Sequence, residues 1–261
     1  MAEIRVVSYN LRTDVPSDGI NSFENRRTFI KSRFPALKAD LVGFQETRPH
    51  MRQWLMDSFP EYEICGVGRG KLLDDESNVI AYRKAAFDLV SLDTFWLSDT
   101  PKVPGSRFRT DQSKFPRICT CVTLLHKETG RLFRHYNTHL DHEGEIAQAQ
   151  GISVVLNRIA ADFAAWPLPV ILTGDLNVPP DSPVCRSVLE FTGCGAPLSD
   201  ATAGMDFTFH AFDPENEQTR MKIDYIFTNL PFDRSCSFQA RDEESGVYLS
   251  DHYPVGAMVE L

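Results

Sequence analysis

Apolar positions along the chain follow two rhythms. Short runs rich in Val, Ile, Leu, Phe and Tyr recur as EIRVVSYN (3–10), DLVGFQET (40–47), YEICGVG (62–68), SNVIAYRK (77–84) and FDLVSLDTFWLS (87–98). Their length and β-branched content predict strands. RICTCVTLLHKETGRLFRHYNTHL (117–140) predicts a hairpin that turns at KETG. PVILTGD, MKIDYIFTN and PVGAMVEL add strand segments further on. The second rhythm is helical. Ser22 begins a segment that sets Phe23, Arg27, Ile30 and Phe34 on one side, and Pro35 interrupts it. PHMRQWLMDSFP (49–60) and the stretch 182–191 predict short helices. The longest pattern spans 142–166, where Ile146, Ala149, Gln150, Ile152, Val155, Leu156, Ile159 and Phe163 recur at three and four. Strands dominate, without a repeat, a linker or a break in composition. The prediction is an α/β chain: two sheets face to face with helices outside, one domain over 1–261.

Polar residues collect where the apolar runs end. Asn10 closes the first run and Glu46 follows LVGFQ. His139 ends RHYNTH, Asp175 and Asn177 follow VILTG, Asp224 sits in KIDYIF, and Asp251 and His252 precede the last strand. Asp and Asn are ordinary turn formers at single positions. Two histidines, a glutamate and three aspartates in the same situation exceed what turn chemistry asks for. Carboxylates and carboxamides suit a hard divalent cation, Mg²⁺ with Mn²⁺ as substitute. An Asp that orients a His makes a base–orienter pair. The set points to metal-assisted hydrolysis of a phosphoester. In ILTGDLNVPP (171–180), Gly174 is expected to allow a tight exit. The two-residue spacing of an extended chain would then turn Asp175 and Asn177 into one site.

SYN, FQET, NTHLDH, TGDLN, IDYIF and SDHYP, in that order over residues 8–254, resemble the endonuclease/exonuclease/phosphatase superfamily. FWLSDTP (95–101) and the THLDH form of the histidine motif resemble a compact subgroup near its deadenylase-like and nocturnin-like branch. The resemblance implies a DNase I-like fold: a four-layer sandwich of two mainly antiparallel sheets flanked by helices. By similarity, Glu46 is the main metal carboxylate, with Asn10 and Asp251 beside it, for one or two ions. Asp175 and Asn177 position the attacking water, bind a second ion, or both. Asp224 holds His252, which acts as general base or grips the phosphate. His139 binds the phosphate or stabilises the leaving oxygen. One departure stands out: Gln148 occupies a place where related sequences often carry arginine.

Net charge is −9, which argues against a general polyanion binder. The stretch 100–117 reverses this locally, with Lys102, Arg107, Arg109, Lys114 and Arg117 against Asp111. It reads as a solvated loop or as an arm that steers an anionic substrate, with Phe108 or Phe115 free to stack. Arg117 is the cation expected nearest the site. Phe209, in DFTFHAF, is either core or a rim that packs a base or sugar, and Trp96 is either core or, as the resemblance implies, beside the pocket. His142 is a further candidate beside Asp141. Zinc is disfavoured, because structural zinc needs a closed four-ligand set. The six cysteines lack paired spacing and are expected as free thiols in a reducing compartment. The chain shows neither a secretory leader nor a membrane-length apolar run, so the expectation is a cytoplasmic monomer that does not engage membranes. The expected substrate is a small phosphorylated metabolite or nucleotide. The alternatives are a nuclease acting on short single-stranded nucleic acid and a non-catalytic scaffold of the same fold.

Overall fold

The structure is a computed structural model and describes residues 2–261. In chain order the elements are β1 (Glu3–Asn10), α1 (Phe23–Arg33), β2 (Leu41–Gln45), α2 (Pro49–Ser58), β3 (Tyr62–Cys65), β4 (Ile80–Arg83) and β5 (Phe87–Trp96). Then come β6 (Ile118–His126), β7 (Leu132–His139), α3 (Glu145–Ala165), β8 (Val170–Asp175) and α4 (Pro183–Leu189). The chain closes with β9 (Ser199–Asp200), β10 (Asp224–Thr228), β11 (Phe232–Gln239), β12 (Glu243–Glu244), β13 (Val247–Tyr248) and β14 (Val255–Glu260).

Two six-stranded sheets form, ordered β11-β14-β1-β2-β4-β3 and β5-β6-β7-β8-β10-β9. Pairing is mainly antiparallel, with one parallel pair in each sheet: β1–β2 and β7–β8. The sheets face one another across an apolar layer that includes Val6, Leu41, Phe87, Val122, Phe133, Ile226 and Val255. α1 and α2 cover the outer face of the first sheet, through Phe23, Ile30, Met51 and Leu55. α3 and α4 cover the outer face of the second, through Ile152, Val155, Ile159 and Val184. This is the expected four-layer DNase I-like sandwich. Among the described residues, no helix is long and apolar enough to cross a membrane.

Two helical phases differ from expectation. In α1 the buried cation is Arg26, not Arg27, because the chain enters the helix at Phe23 and Arg26 lies one turn on. In α3, Ile146 is 55% exposed while Ala147, Gln148 and Gly151 face inward. Asp111 explains this start: its carboxylate accepts from the N–H groups of Ile146 and Ala147 at 2.9 Å each and so caps the helix from a distant loop. All six cysteines are free, and only Cys236 among them is exposed.

Candidate active site

Strand register assembles the site. Asp175 at the end of β8 pairs across to Asp224 on β10 and to His139 on β7. On the facing sheet Asn10 pairs with Gln45, and Glu46 follows directly. The ends of β1 and β2 therefore meet the ends of β7, β8 and β10 across the seam between the sheets. Asp251 and His252 arrive on the segment before β14, tied down where Phe209 bridges His252.

Asp175 is the hub. Its Oδ2 accepts from Asn10 Nδ2 at 2.9 Å and lies 3.5 Å from His139 Nε2 and 3.7 Å from His252 Nε2. His252 Nδ1 sits 2.8 Å from Asp224 Oδ2, the expected dyad. Asn10 Nδ2 also donates to Glu46 Oε1 at 3.1 Å, and Glu46 Oε2 accepts the Thr13 N–H at 2.7 Å. Asp251 Oδ2 lies 3.5 Å from Arg12 Nε.

The environment sets the charges. Burial opposes charge on His252, but the ion pair with Asp224 and the nearby Asp175 and Asp251 outweigh it and raise its pKa. Burial pushes Asp175 up, as does the Asp224 charge, against the pull of His252. Asp251 rises by burial and by repulsion from Glu46. Glu46 is held low despite burial, by the Thr13 N–H, the Asn10 amide, His252 and Arg12. His139 falls well below the usual histidine range through burial and the charges of Arg117 and Arg69.

Backbone strain concentrates at the same place. Arg12, Glu46 and Asn177 adopt left-handed conformations, φ 54°, 61° and 53°. Each costs about 1–2 kcal/mol for a residue with a Cβ. The geometry of Asn177 also corrects the strand-spacing argument. β8 stops at Asp175, and Asn177 reaches the cavity through its left-handed turn, with its N–H on Asp175 Oδ1 at 2.9 Å. Gly174 is required for a different reason than a turn: a Cβ there would meet the Thr138 carbonyl oxygen at 2.5 Å. Gln148 donates to the carbonyls of Asp141 and Asn177, at 2.8 and 3.3 Å, so it braces this loop where a cation was expected.

A cavity of about 430 Å³ opens over these groups. Glu46, Asp175, Asn177, Asp251, His252 and His139 line one part of it. Arg117, His142 and Phe209 line it too. Trp96 does not: it is 3% exposed and its Nε1 donates to the Arg69 carbonyl at 2.7 Å. It acts through Arg69, which the sequence reading missed along with Arg12, Thr13, Arg48 and Glu76. Arg69 comes from an aperiodic loop, GRGKLLDDES, that carries no local signal of its direction. Its Nη1 pairs with Glu76 at 3.0 Å, and its guanidinium lies 4.6 Å over the Phe115 ring. The basic segment is a loop whose Lys102, Arg107, Arg109 and Lys114 are exposed, anchored through Phe108 and Arg117. Arg107 Nη1 donates to the Ser113 carbonyl at 2.6 Å, Phe108 is core, and Arg117 pairs with Asp141 at 3.4 Å. A hollow of about 530 Å³ lies elsewhere, by Lys222, whose Nζ pairs with Asp200 at 3.1 Å.

The donor set fits a divalent cation. Asp175, Asp224 and His252 bring ligand atoms within 4.8 Å of one another, yet Asp224 is spent on His252. Glu46 and Asp251 form an oxygen-rich pair facing the cavity, the chemistry of a hard cation, and Asn10 stands behind them, its Nδ2 donating to Glu46 and its Oδ1 accepting the Arg12 N–H at 2.9 Å. The mutual repulsion of Glu46 and Asp251 is what a bound cation relieves.

Known proteins share this fold. The endonuclease/exonuclease/phosphatase family from Bacteroides vulgatus gives a structure 30% identical, with TM-score 0.87, covering 100% of both chains. A mannosyl-6-phosphatase of Bacteroides thetaiotaomicron is 30% identical, with TM-score 0.83, over 98% of this chain and 100% of that one. The human nocturnin catalytic domain shares the fold, at 17% identity and TM-score 0.72, over 99% of this chain and 94% of that one. An uncharacterized protein of Acanthamoeba polyphaga mimivirus is 27% identical over 168 residues, and the match spans 60% of each chain. The model of the endonuclease/exonuclease/phosphatase family matches residues 7–252, and the chain belongs to that family.

Proposed function

We propose that the protein is a divalent-metal-dependent phosphoesterase acting on a small phosphorylated metabolite or nucleotide. One observation carries this reading: Glu46, Asp175, Asp251 and His252 line one cavity, with Asn10 bonded to Glu46 and Asp175 and Asp224 bonded to His252 behind them. Glu46 and Asp251 would hold the cation, with Asn10 bracing Glu46. When bound, it neutralises phosphate charge and acts as a Lewis acid.

The chain's own groups supply the rest. Asp175, raised by burial, accepts the proton of the attacking water. Asn177 fixes Asp175 through its N–H, at 2.9 Å. His252, held charged by Asp224, donates to a phosphoryl oxygen. His139 is neutral and hydrogen-bonds the phosphate beside Asp175. The water oxygen bonds to phosphorus as the ester P–O bond breaks, the leaving oxygen takes a proton from solvent, and Asp175 returns the water's proton to solvent. The mannosyl-6-phosphatase likeness supports a compact substrate, and the cavity of about 430 Å³ is of that scale.

Release of phosphate or nucleotide from sugar phosphates, dinucleotide cofactors and single-stranded RNA and DNA, with Mg²⁺, Mn²⁺ or EDTA, tests the reading. The expected result is EDTA-sensitive turnover of a small phosphoester, reduced about 10³-fold or more in Glu46→Ala and His252→Ala. Turnover that survives EDTA and both substitutions overturns it. Preference for nucleic acid replaces the substrate and keeps the chemistry.

A further inference from the structure

We propose that the arginine-lined end of the cavity is a socket for a terminal phosphate, so that the protein hydrolyses phosphomonoesters in preference to phosphodiesters. This rests on the phosphoesterase reading and narrows it. Beside His139 the cavity continues into a niche of about 10 Å³, lined by Arg69, Glu76, Asn78, Arg117 and His139. Arg69, Glu76, Arg117 and His139 line the main cavity as well. Such a space holds about one water-sized atom. Pro116 and Ile118 wall it off, and the Asn78 amide is locked onto the Ile118 carbonyl at 2.8 Å.

The two cations at this end are built in. Arg69 and Arg117 are each 5% exposed. Arg117 is fixed by Asp141 through Nε at 3.4 Å and by His142 Nδ1 through Nη2 at 2.6 Å. Asp141 is itself held by the N–H groups of Ser113, Glu143 and Gly144. Arg69 is fixed by Asp75 through Nε at 3.3 Å, by Glu76 and by the Phe115 ring beneath it. Among the described residues, Arg69 Nη2 and Arg117 Nη1 make no hydrogen bond. A guanidinium that keeps a donor free at a cavity wall is suited to an oxyanion.

A phosphomonoester has three non-bridging oxygens, all at the same tetrahedral angle to the scissile bond, so any one of them can be turned towards the niche. With His252 and Asp175 at the reacting phosphorus, the oxygen nearest His139 enters the niche and meets the two arginines. In a diester one of those three oxygens carries a carbon. Directed at the niche, that substituent has no room, and it replaces an oxyanion with a neutral ester beside two buried guanidiniums. The leaving group of the monoester extends along the wider part, between Phe209, Met221 and Ile223.

Two paired probes test this. The kcat/KM for p-nitrophenyl phosphate and p-nitrophenyl methyl phosphate, with Mg²⁺, compares the classes at one leaving group. The expected preference for the monoester is about 100-fold or more, and Arg117→Gln and Arg69→Gln each reduce it at least about tenfold. Benzylphosphonate and its monoethyl ester, titrated calorimetrically in EDTA, compare binding without turnover, with the dianion bound about tenfold or more tightly. Because Arg117→Gln leaves Asp141 unpaired, Arg117→Gln/Asp141→Asn is measured beside it, with thermal melting as the folding control. Equal use of both esters, or a preference unchanged in the folded variants, overturns the socket and leaves the phosphoesterase reading standing. Silence towards both esters with any metal counts against that reading instead. The phosphonate comparison then decides the socket alone, and equal binding of dianion and ester overturns it.

Discussion

Arg26 and Arg27 are neighbours in sequence and opposites in structure. Arg27 lies in solvent with Glu24 at 2.6 Å, a pair that stabilises little. Arg26 is 0% exposed and donates to the carbonyls of Asn21, Leu11, Leu249 and Arg12, at 2.6–3.1 Å. It ties α1 to the loop after β1 and to the segment that leads into Asp251. Removing it takes a donor from all four carbonyls, of which that of Leu249 keeps the Tyr9 hydroxyl at 2.9 Å. Arg26→Ala is expected to cost about 3–5 kcal/mol in urea unfolding, and Arg27→Ala within about 0.5 kcal/mol of wild type. The same scale governs Asp224. Its Oδ2 orients His252, while Oδ1 is buried without a partner among the described residues. Asp224→Asn is expected to lower kcat by about 10²–10⁴-fold with the fold intact. If the two residues act as a unit, Asp224→Asn/His252→Ala is no slower than His252→Ala alone, which steady-state kinetics decides.

At the scale of elements, the site is a product of strand register. One pleat below the site residues lies a buried polar layer: Ser8 below Asn10, Asn137 below His139, Thr173 below Asp175, with Gln45 between the sheets. Gln45 Nε2 donates to Asn137 Oδ1 at 2.7 Å, and Asn137 Nδ2 donates to the carbonyls of Phe44 and Val79, at 2.8 and 3.0 Å. These bonds cross from one sheet to the other and set the gap that the site spans. Gly43 makes room for them, since a Cβ there would collide with Thr173 Oγ1 and Asn137 Oδ1. Gly43→Ala is therefore expected to destabilise by about 2 kcal/mol or more and to lower kcat more than it raises KM, a split read from melting and steady-state kinetics. The strand-end polar residues were legible because a strand is local: its apolar run, its end and its polar terminus are contiguous. Asn137 was visible only as part of a motif, because its partners are 92 and 58 residues away. Arg69 was invisible for the same reason, and Trp96 was misplaced beside the pocket because family position says nothing of which way an indole turns. The phase of α3 was misread at Ile146 because its cap, Asp111, is 35 residues distant.

For the molecule as a whole, the decisive feature is that a histidine is fully buried between the sheets. His135 is 0% exposed, and its Nε2 lies 2.8 Å from Thr173 Oγ1. Burial lowers its pKa from 6.5 to about 3. The folded chain therefore keeps this ring neutral at acidities where the unfolded chain protonates it. The unfolded state binds the extra proton, so stability falls as pH drops below about 6.5 and stops falling near the folded value. One such proton contributes a slope of up to about 1.4 kcal/mol per pH unit. His135→Gln keeps a donor for Thr173 and removes the titration. Urea unfolding from pH 7 to pH 4 is expected to show wild type losing stability more steeply than His135→Gln, by up to that slope. Parallel curves would mean that the ring is hydrated or already charged in the folded state. The gap between the sheets, which the site depends on, would then be wet rather than dry.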